Sequence, residues 1–208
     1  MKVHAPARSS SDGALPEIRS IMAESGRLTN HFLIAMPALE DPNFHQTVTY
    51  VCEHNDDGAL GIVINRPTDV TLGELLEHMQ LDTVSADISR RTVYMGGPVQ
   101  RERGFVLHPP DADWDSTMAV SRNMAITTSR DILAAIAEGR GPRRFMVALG
   151  YAGWGAGQLE RELAENAWLH GPAESHILFD LDADHRWRAA AALLGVDLSL
   201  LSSDTGHA

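Results

Sequence analysis

Residues 46–67, QTVTYVCEHNDDGALGIVINRP, put the strongest constraint on what this chain can fold into. Two runs rich in β-branched and apolar residues flank NDDG, a turn-forming tetrapeptide, so the chain is predicted to double back as a β-hairpin. Val48, Tyr50 and Cys52 recur at a period of two and so share one face of the first strand. Cys52 is then a small core residue rather than a nucleophile. NDDG carries too few spaced oxygens to be a calcium loop.

Further elements follow along the chain. HFLIAMP, RTVYMGGPV, RGFVLHPP, RRFMVALG and SHILFD read as strands, the second and third joined around a Gly-Gly-Pro turn. Thr71 and Glu74 form a T-x-x-E capping box that opens a helix over LGELLEHMQL. Thr128 and Asp131 make a second box-like start for SRDILAAIAEG, which Gly139 is placed to end. QLERELAENAW and DHRWRAAAALLG read as two more helices, the last stopped by Gly195. Residues 1–26 are rich in Ser, Pro, Ala and Gly and are expected to form a flexible leader, with a short helix at Leu15–Met22. Residues 27–208 are expected to be one domain, with no repeat or long linker between 28 and 195. Strands dominate early and alternate with helices later, which predicts an α+β fold with a mixed sheet curled into a partial barrel.

Charge narrows the function. With 17 basic and 28 acidic residues the net charge is −11, the opposite of the basic footprint that phosphate backbones require. The basic pairs at Arg90–Arg91, Arg101/Arg103 and Arg143–Arg144 read as solvated side chains. One cysteine allows no intrachain disulfide and no cysteine-based zinc site. No stretch approaches the ~20 apolar residues of a membrane span. The first twenty residues lack the apolar core of a secretory signal, so a cytoplasmic location is expected.

Residues 147–168, VALGYAGWGAGQLERELAENAW, look at first like a nucleotide site: a strand, a glycine-rich loop, then a helix. The details go against it. Gly150, Gly153, Gly155 and Gly157 do not give G-x-G-x-x-G, and there is no Lys-Ser/Thr pair. Glu160 and Glu162 stand in the first turns of the helix, where they complement its positive end themselves. If SHILFD is the next strand of a βαβ unit, Asp180 lies beyond the usual ~20-residue spacing of a ribose-binding acid. Trp154 and Trp168 read as core anchors, with Trp154 the better candidate to touch a ligand. His31, His45, His54, His108 and His176 show no metal-binding spacing and read as surface or hydrogen-bonded side chains. Ser129 stands at a helix start, where serine caps, and outside any G-x-S-x-G elbow.

Taken in order, HFLIAMPALEDPNFHQTVTYVCEHNDDGALGIVINRP, VYMGGPV with RGFVLH, TTSRDIL, VALGYAGWGAGQLERELAENAWL and LLGVDL with GHA resemble the YqgE/AlgH family of bacterial proteins, from Leu28 to His207. The family motif, roughly Gly-Tyr-Ala/Ser-x-Trp-x-x-Gly-Gln-Leu-Glu, is matched by Gly150, Tyr151, Ala152, Trp154, Gly157, Gln158, Leu159 and Glu160. Gly153 and Gly155 fall at its variable positions. The resemblance implies a compact α+β domain with a bifurcated, barrel-like sheet flanked by helices. It brings no established activity, catalytic residue, cofactor or metal. Some members are labelled transcriptional regulators, which the charge of this chain does not favour as direct DNA binding.

The leading expectation is therefore a non-enzymatic binding or regulatory domain that acts through a protein partner or a small ligand. Its candidate contact surface gathers Gly96, Gly97, Arg103 and His108 with Thr128, Ser129, Tyr151, Trp154 and Gln158. A hydrolase using a polar pocket near His108 and Ser129 is the alternative, and it requires a histidine within hydrogen-bond reach of a nucleophile or a bound water, with an acid or carbonyl orienting it. Direct DNA binding is the third reading.

Overall fold

A computed structural model describes residues 28–201. The expected leader, its short helix at Leu15–Met22 and the end of the tail lie outside the described residues. The strands are β1 (His31–Ala35), β2 (Val48–Asn55), β3 (Gly58–Val63), β4 (Pro67–Thr71), β5 (Thr92–Met95), β6 (Val99–His108), β7 (Thr117–Ala119), β8 (Ala125–Thr127), β9 (Met146–Gly155) and β10 (Trp168–Pro172). The helices are α1 (Leu72–His78), α2 (Ala86–Ser89), α3 (Arg130–Ala137), α4 (Gln158–Ala164), α5 (Ser175–Phe179), α6 (Ala183–Leu193) and α7 (Leu198–Leu201).

The strands run in the order β10-β1-β2-β3-β9-β6-β8-β7, with β4 and β5 branching from this path. The predicted hairpin is β2–β3, closed at Asn55 opposite Gly58. All pairings are antiparallel except β5 with β9, which makes the sheet mixed. The result is one α+β domain whose sheet curls into a half-barrel.

The branch point lies on β9. Along Val147–Leu149 it pairs with β5, and from Ala152 to Gly155 it pairs with β3 instead. Gly96 stitches the two prongs together: its N–H donates to the Leu149 carbonyl at 2.7 Å, and its carbonyl accepts from the Val63 N–H at 2.8 Å. So close an approach leaves no room for side chains. A Cβ on Gly96 would lie 2.3 Å from the Gly150 carbonyl oxygen, and one on Gly150 would lie 2.6 Å from that of Gly97. Gly150 also has a φ of +74°, which costs any other residue strain. The Gly-Gly-Pro segment is thus the backbone crossing of a forked sheet.

One face of the sheet holds the main core, with Phe32, Tyr50, Ile62, Leu107 and Ala148 packed against Ile177, Leu178 and Trp187 of α5 and α6. On the other face the fork separates two smaller cores. Leu72, Leu76, Ile132 and Ile136 of α1 and α3 cover Val93, Val106 and Val147. Leu159 of α4 covers Leu33, Val51 and Trp154. Arg186 of α6, 3% exposed, ties the prongs from inside: its guanidinium donates to the Ile64 and Leu181 carbonyls and to the Tyr94 hydroxyl. Cys52 is buried beside Tyr50, and burial pushes its thiol far above the usual range, as befits an inert core residue.

Side-chain caps open α1 and α2, at Thr71 and Ser85. The Thr71–Glu74 capping box forms in both directions. The second start is shifted by one residue: Ser129 and not Thr128 is the N-cap of α3. Its hydroxyl makes no cap bond, and Asp131 instead accepts from Ser129, from the Ile132 N–H and from the Asp115 N–H. Two other expectations are corrected. SHILFD is the helix α5, because a short apolar run does not separate helix from buried strand. The helix expected to reach Trp168 stops at Ala164, and Trp168 opens β10, which pairs with β1 and is separated from β9 by three strands in the sheet order. No βαβ unit follows the glycine loop.

The fork predicts an asymmetry among glycines. Gly150→Ala should lower unfolding free energy by about 2 kcal/mol or more in urea titrations, since strain and backbone overlap add. A Cβ at Gly104, by contrast, meets nothing within 4 Å. Gly104→Ala should be neutral or stabilising by up to about 1 kcal/mol.

Candidate functional site

Breaks of period-two alternation in β2, β6 and β9 converge on one cleft. In β2 the register slips between Val51 and Glu53, so Glu53 turns to the side of Cys52 and lies opposite Leu60. In β9 Met146 and Ala148 face the main core and Val147 the outer one. Beyond Gly150 the phase flips: Tyr151 joins the main-core side, while Ala152 and Trp154 turn outward. In β6 Val99 pairs with Tyr151 but Gly104 with Leu149, so Gln100, Arg101, Glu102 and Arg103 bulge out together. Gln100 holds a φ of +47°, in the left-handed region that non-glycine residues rarely enter. The bulge distributes its charges, with Arg101, Glu102 and Arg103 each lining a different depression.

The cleft has a volume of about 300 Å³. Leu60, Phe105 and Tyr151 supply its apolar floor, and Thr117 and Thr128 bring hydroxyls to one wall. The Phe105 and Tyr151 rings meet edge to face at 5.8 Å, a stable aromatic pairing. The Arg103 guanidinium sits 5.4 Å above the Phe105 ring, and its nearest polar partner is Gln100 at 3.5 Å. Glu53 accepts a hydrogen bond from Asn55. Among the described residues neither Arg103 nor Glu53 takes part in an ion pair.

Of the nine residues singled out from the sequence, the cleft therefore unites Arg103, Thr128 and Tyr151. Ser129 lies next door, in a depression of about 260 Å³ that shares Phe105 and Thr128 with it. Gly96 and Gly97 belong to the fork. His108 is fully buried, its Nδ1 2.7 Å from the Pro109 carbonyl and its Nε2 2.8 Å from the Thr127 hydroxyl. A carbonyl only accepts, so Nδ1 carries the proton and Nε2 accepts from Thr127, whose oxygen lies 2.7 Å from that of Thr117. No His108–Ser129 hydrogen bond is present among the described residues; the hydroxyl that faces His108 is that of Thr127. A larger cavity of about 570 Å³ lies apart from all nine, between Tyr50, Arg122 and Phe179.

The AlgH-like family profile (DUF179) matches residues 32–199. The chain belongs to the AlgH-like family. It is 61% identical over 187 residues to a UPF0301 protein of Thioalkalivibrio sulfidiphilus, covering 90% of this chain and all of that one. It is 58% identical to a UPF0301 protein of Nitrosococcus oceani, covering 86% and 96%. The solution structure of the AlgH protein from Pseudomonas aeruginosa is similar, with a TM-score of 0.73, 54% identity and coverage of 88% and 96%. A crystal structure from Corynebacterium diphtheriae, 19% identical, shares the fold with a TM-score of 0.66, covering 85% and 92%.

In this AlgH-like chain the glycine loop has a structural job. Trp154 is 5% exposed and anchors a core, as the sequence reading preferred, so it does not line the cleft. Its indole N–H donates to Glu162 Oε2 at 2.9 Å, and Trp168 donates to the same oxygen at 2.9 Å. Gln158 donates to Glu162 Oε1 and accepts from the Gly155 N–H, so it too is engaged internally. Glu162 thus holds two indoles and does not complement the end of the helix, as the sequence had suggested. Glu160 does stay at that end and bonds His54 at 2.8 Å. Because the Leu28 N–H donates to His54 Nδ1, the proton of this imidazole sits on Nε2 and points at Glu160.

The other histidines do not converge. His31 and His45 lie against the Thr29 and Leu39 carbonyls. The grouping of potential metal ligands among the described residues is Asp182, Asp184 and His185, all exposed. Among the basic pairs, Arg90 and Arg144 are bound by Asp87 and Asp180, and Arg91 stacks on Phe145 at 4.3 Å. No helix of the described residues is long and apolar enough to cross a membrane.

Hydrogen bonds from its own backbone N–H and then from His54 hold the Glu160 carboxyl below the usual glutamate range. A carboxyl made more acidic by folding adds stability above its ordinary value of 4.5, and that stability is lost as pH falls through the folded value. The urea midpoint should therefore drop as pH is lowered below about 4.5. Glu160→Gln should flatten that acid slope and cost about 1 kcal/mol at neutral pH, since buried His54 keeps a neutral acceptor in place of the carboxylate.

Proposed function

We infer that this protein is a cytoplasmic, non-enzymatic ligand-binding domain, and that its ligand is a small molecule held in the cleft over Phe105 and Tyr151. One observation carries the reading: Glu53, Arg103 and Tyr151 reach that cleft only because their strands abandon regular alternation. Bulges interrupt ladder hydrogen bonds and are often found where a side chain must be re-aimed at a site. The cleft also combines an apolar floor with a few convergent polar groups, the usual composition of small-molecule sites. The carboxylates and ring that engage Arg90, Arg91 and Arg144 weigh against a nucleic-acid patch, in line with the net charge.

The test is a thermal-shift screen of metabolites on the full chain. A ligand present at ~100 times its Kd adds about 2.7 kcal/mol, which should raise the Tm by about 5 °C or more. The shift should vanish in Arg103→Ala and in Tyr151→Ala and persist in Arg122→Ala, which alters the larger cavity. A shift lost only in Arg122→Ala would move the site to that cavity and reject the cleft.

A further inference from the structure

We propose that the ligand of the cleft is a short zwitterionic peptide, two or three residues long with an apolar side chain, whose carboxylate meets Arg103 and whose ammonium meets Glu53. The inference rests on the cleft being the ligand site and adds the chemical class.

The cleft presents one cation and one anion, neither in an ion pair among the described residues. Arg90, Arg140 and Arg144 find carboxylates, while Arg66 and Arg130 donate to backbone carbonyls. Arg103 is instead held by a ring and a weak amide contact, which steady the side chain and leave its charge uncancelled. A guanidinium with free donors suits a carboxylate, and a carboxylate with a free oxygen suits an ammonium. The net charge of −11 repels a bare anion at long range, whereas a zwitterion of zero net charge escapes that repulsion.

Length comes from the sheet. Glu53 lies on β2 and Arg103 on β6, with β3 and β9 between them. Three strand spacings separate their backbones by roughly 14 Å. A free amino acid carries both charges on one carbon and cannot meet both residues. Two or three residues span about 7–10 Å when extended, and the inward reach of the two side chains covers the remainder. The floor between the charges is Leu60, Tyr151 and Phe105, which suits an apolar side chain. Thr128 on the wall offers a hydroxyl to the peptide amides, while that of Thr117 is engaged by the Trp114 carbonyl and Thr127.

The experiment is an NMR titration of the full chain with phenylalanyl-alanine, its N-acetyl form, its C-terminal amide, the doubly blocked form and free phenylalanine. The free dipeptide should shift cleft resonances and bind about fivefold or more tighter than either singly blocked form, and tighter than phenylalanine. In Arg103→Gln the free acid and the amide should bind alike, and Arg103→Lys should restore a preference for the acid. In Glu53→Gln the free and acetylated forms should bind alike. If both singly blocked forms match the free dipeptide, the zwitterion assignment is wrong while the cleft remains a ligand site. If no form, the doubly blocked one included, shifts cleft resonances at millimolar concentration, the cleft reading fails as well.

Discussion

The close approach of three glycines lets one strand serve two sheets. β9 can pair with β5 along its first half and with β3 along its second only because Gly96, Gly97 and Gly150 bring their backbones into direct contact. Everything that distinguishes the domain follows from this crossing. The fork divides the outer face into two small cores and leaves the inner face continuous, so α5 and α6 need to cover only part of it. Arg186 reaches both prongs from the covered part, and the uncovered part is the cleft. The same Gly150 that relieves the crossing reverses the facing of β9 and delivers Tyr151 to that cleft.

Much of this was legible in the sequence. The β2–β3 hairpin, the Thr71–Glu74 box and the helix ends at Gly139 and Gly195 rest on local rules that tertiary packing did not overrule. The resemblance to the AlgH family carried the forked architecture, which propensity alone cannot specify. What failed was whatever depends on knowing which side of a strand faces what. Period-two reasoning places Glu53 opposite Cys52, and nothing local announces the slip that brings them together. SHILFD failed for a related reason: three apolar letters, Ile177, Leu178 and Phe179, fit a buried helix turn as well as a strand.

The candidate residues divide the same way. Tyr151, Trp154 and Gln158 are neighbours in sequence and belong to one motif, yet only Tyr151 reaches the cleft. Trp154 lies on the opposite face, where a single carboxylate, Glu162, gathers two indoles and a glutamine amide. Strict alternation from Tyr151 to Trp154 would say as much. The flip at Gly150 decides which of the two faces is open. Glu53 and Phe105 escaped notice because a lone acid in an apolar strand and a phenylalanine in a core strand look ordinary without the fold around them.

The bulge from Gln100 to Arg103 also bears on how such a chain can change over time. The two ends of β6 are registered independently, Val99 by Tyr151 and the stretch from Gly104 to Leu107 by Leu149 to Met146. A residue gained or lost between those anchors shifts no core side chain, whereas the same change elsewhere in β6 would turn its buried face outward. The segment that supplies the charges is thus mechanically uncoupled from the segment that supplies the core. Its length and lettering are free to drift, and with them the chemistry displayed at the cleft, on a scaffold that stays fixed.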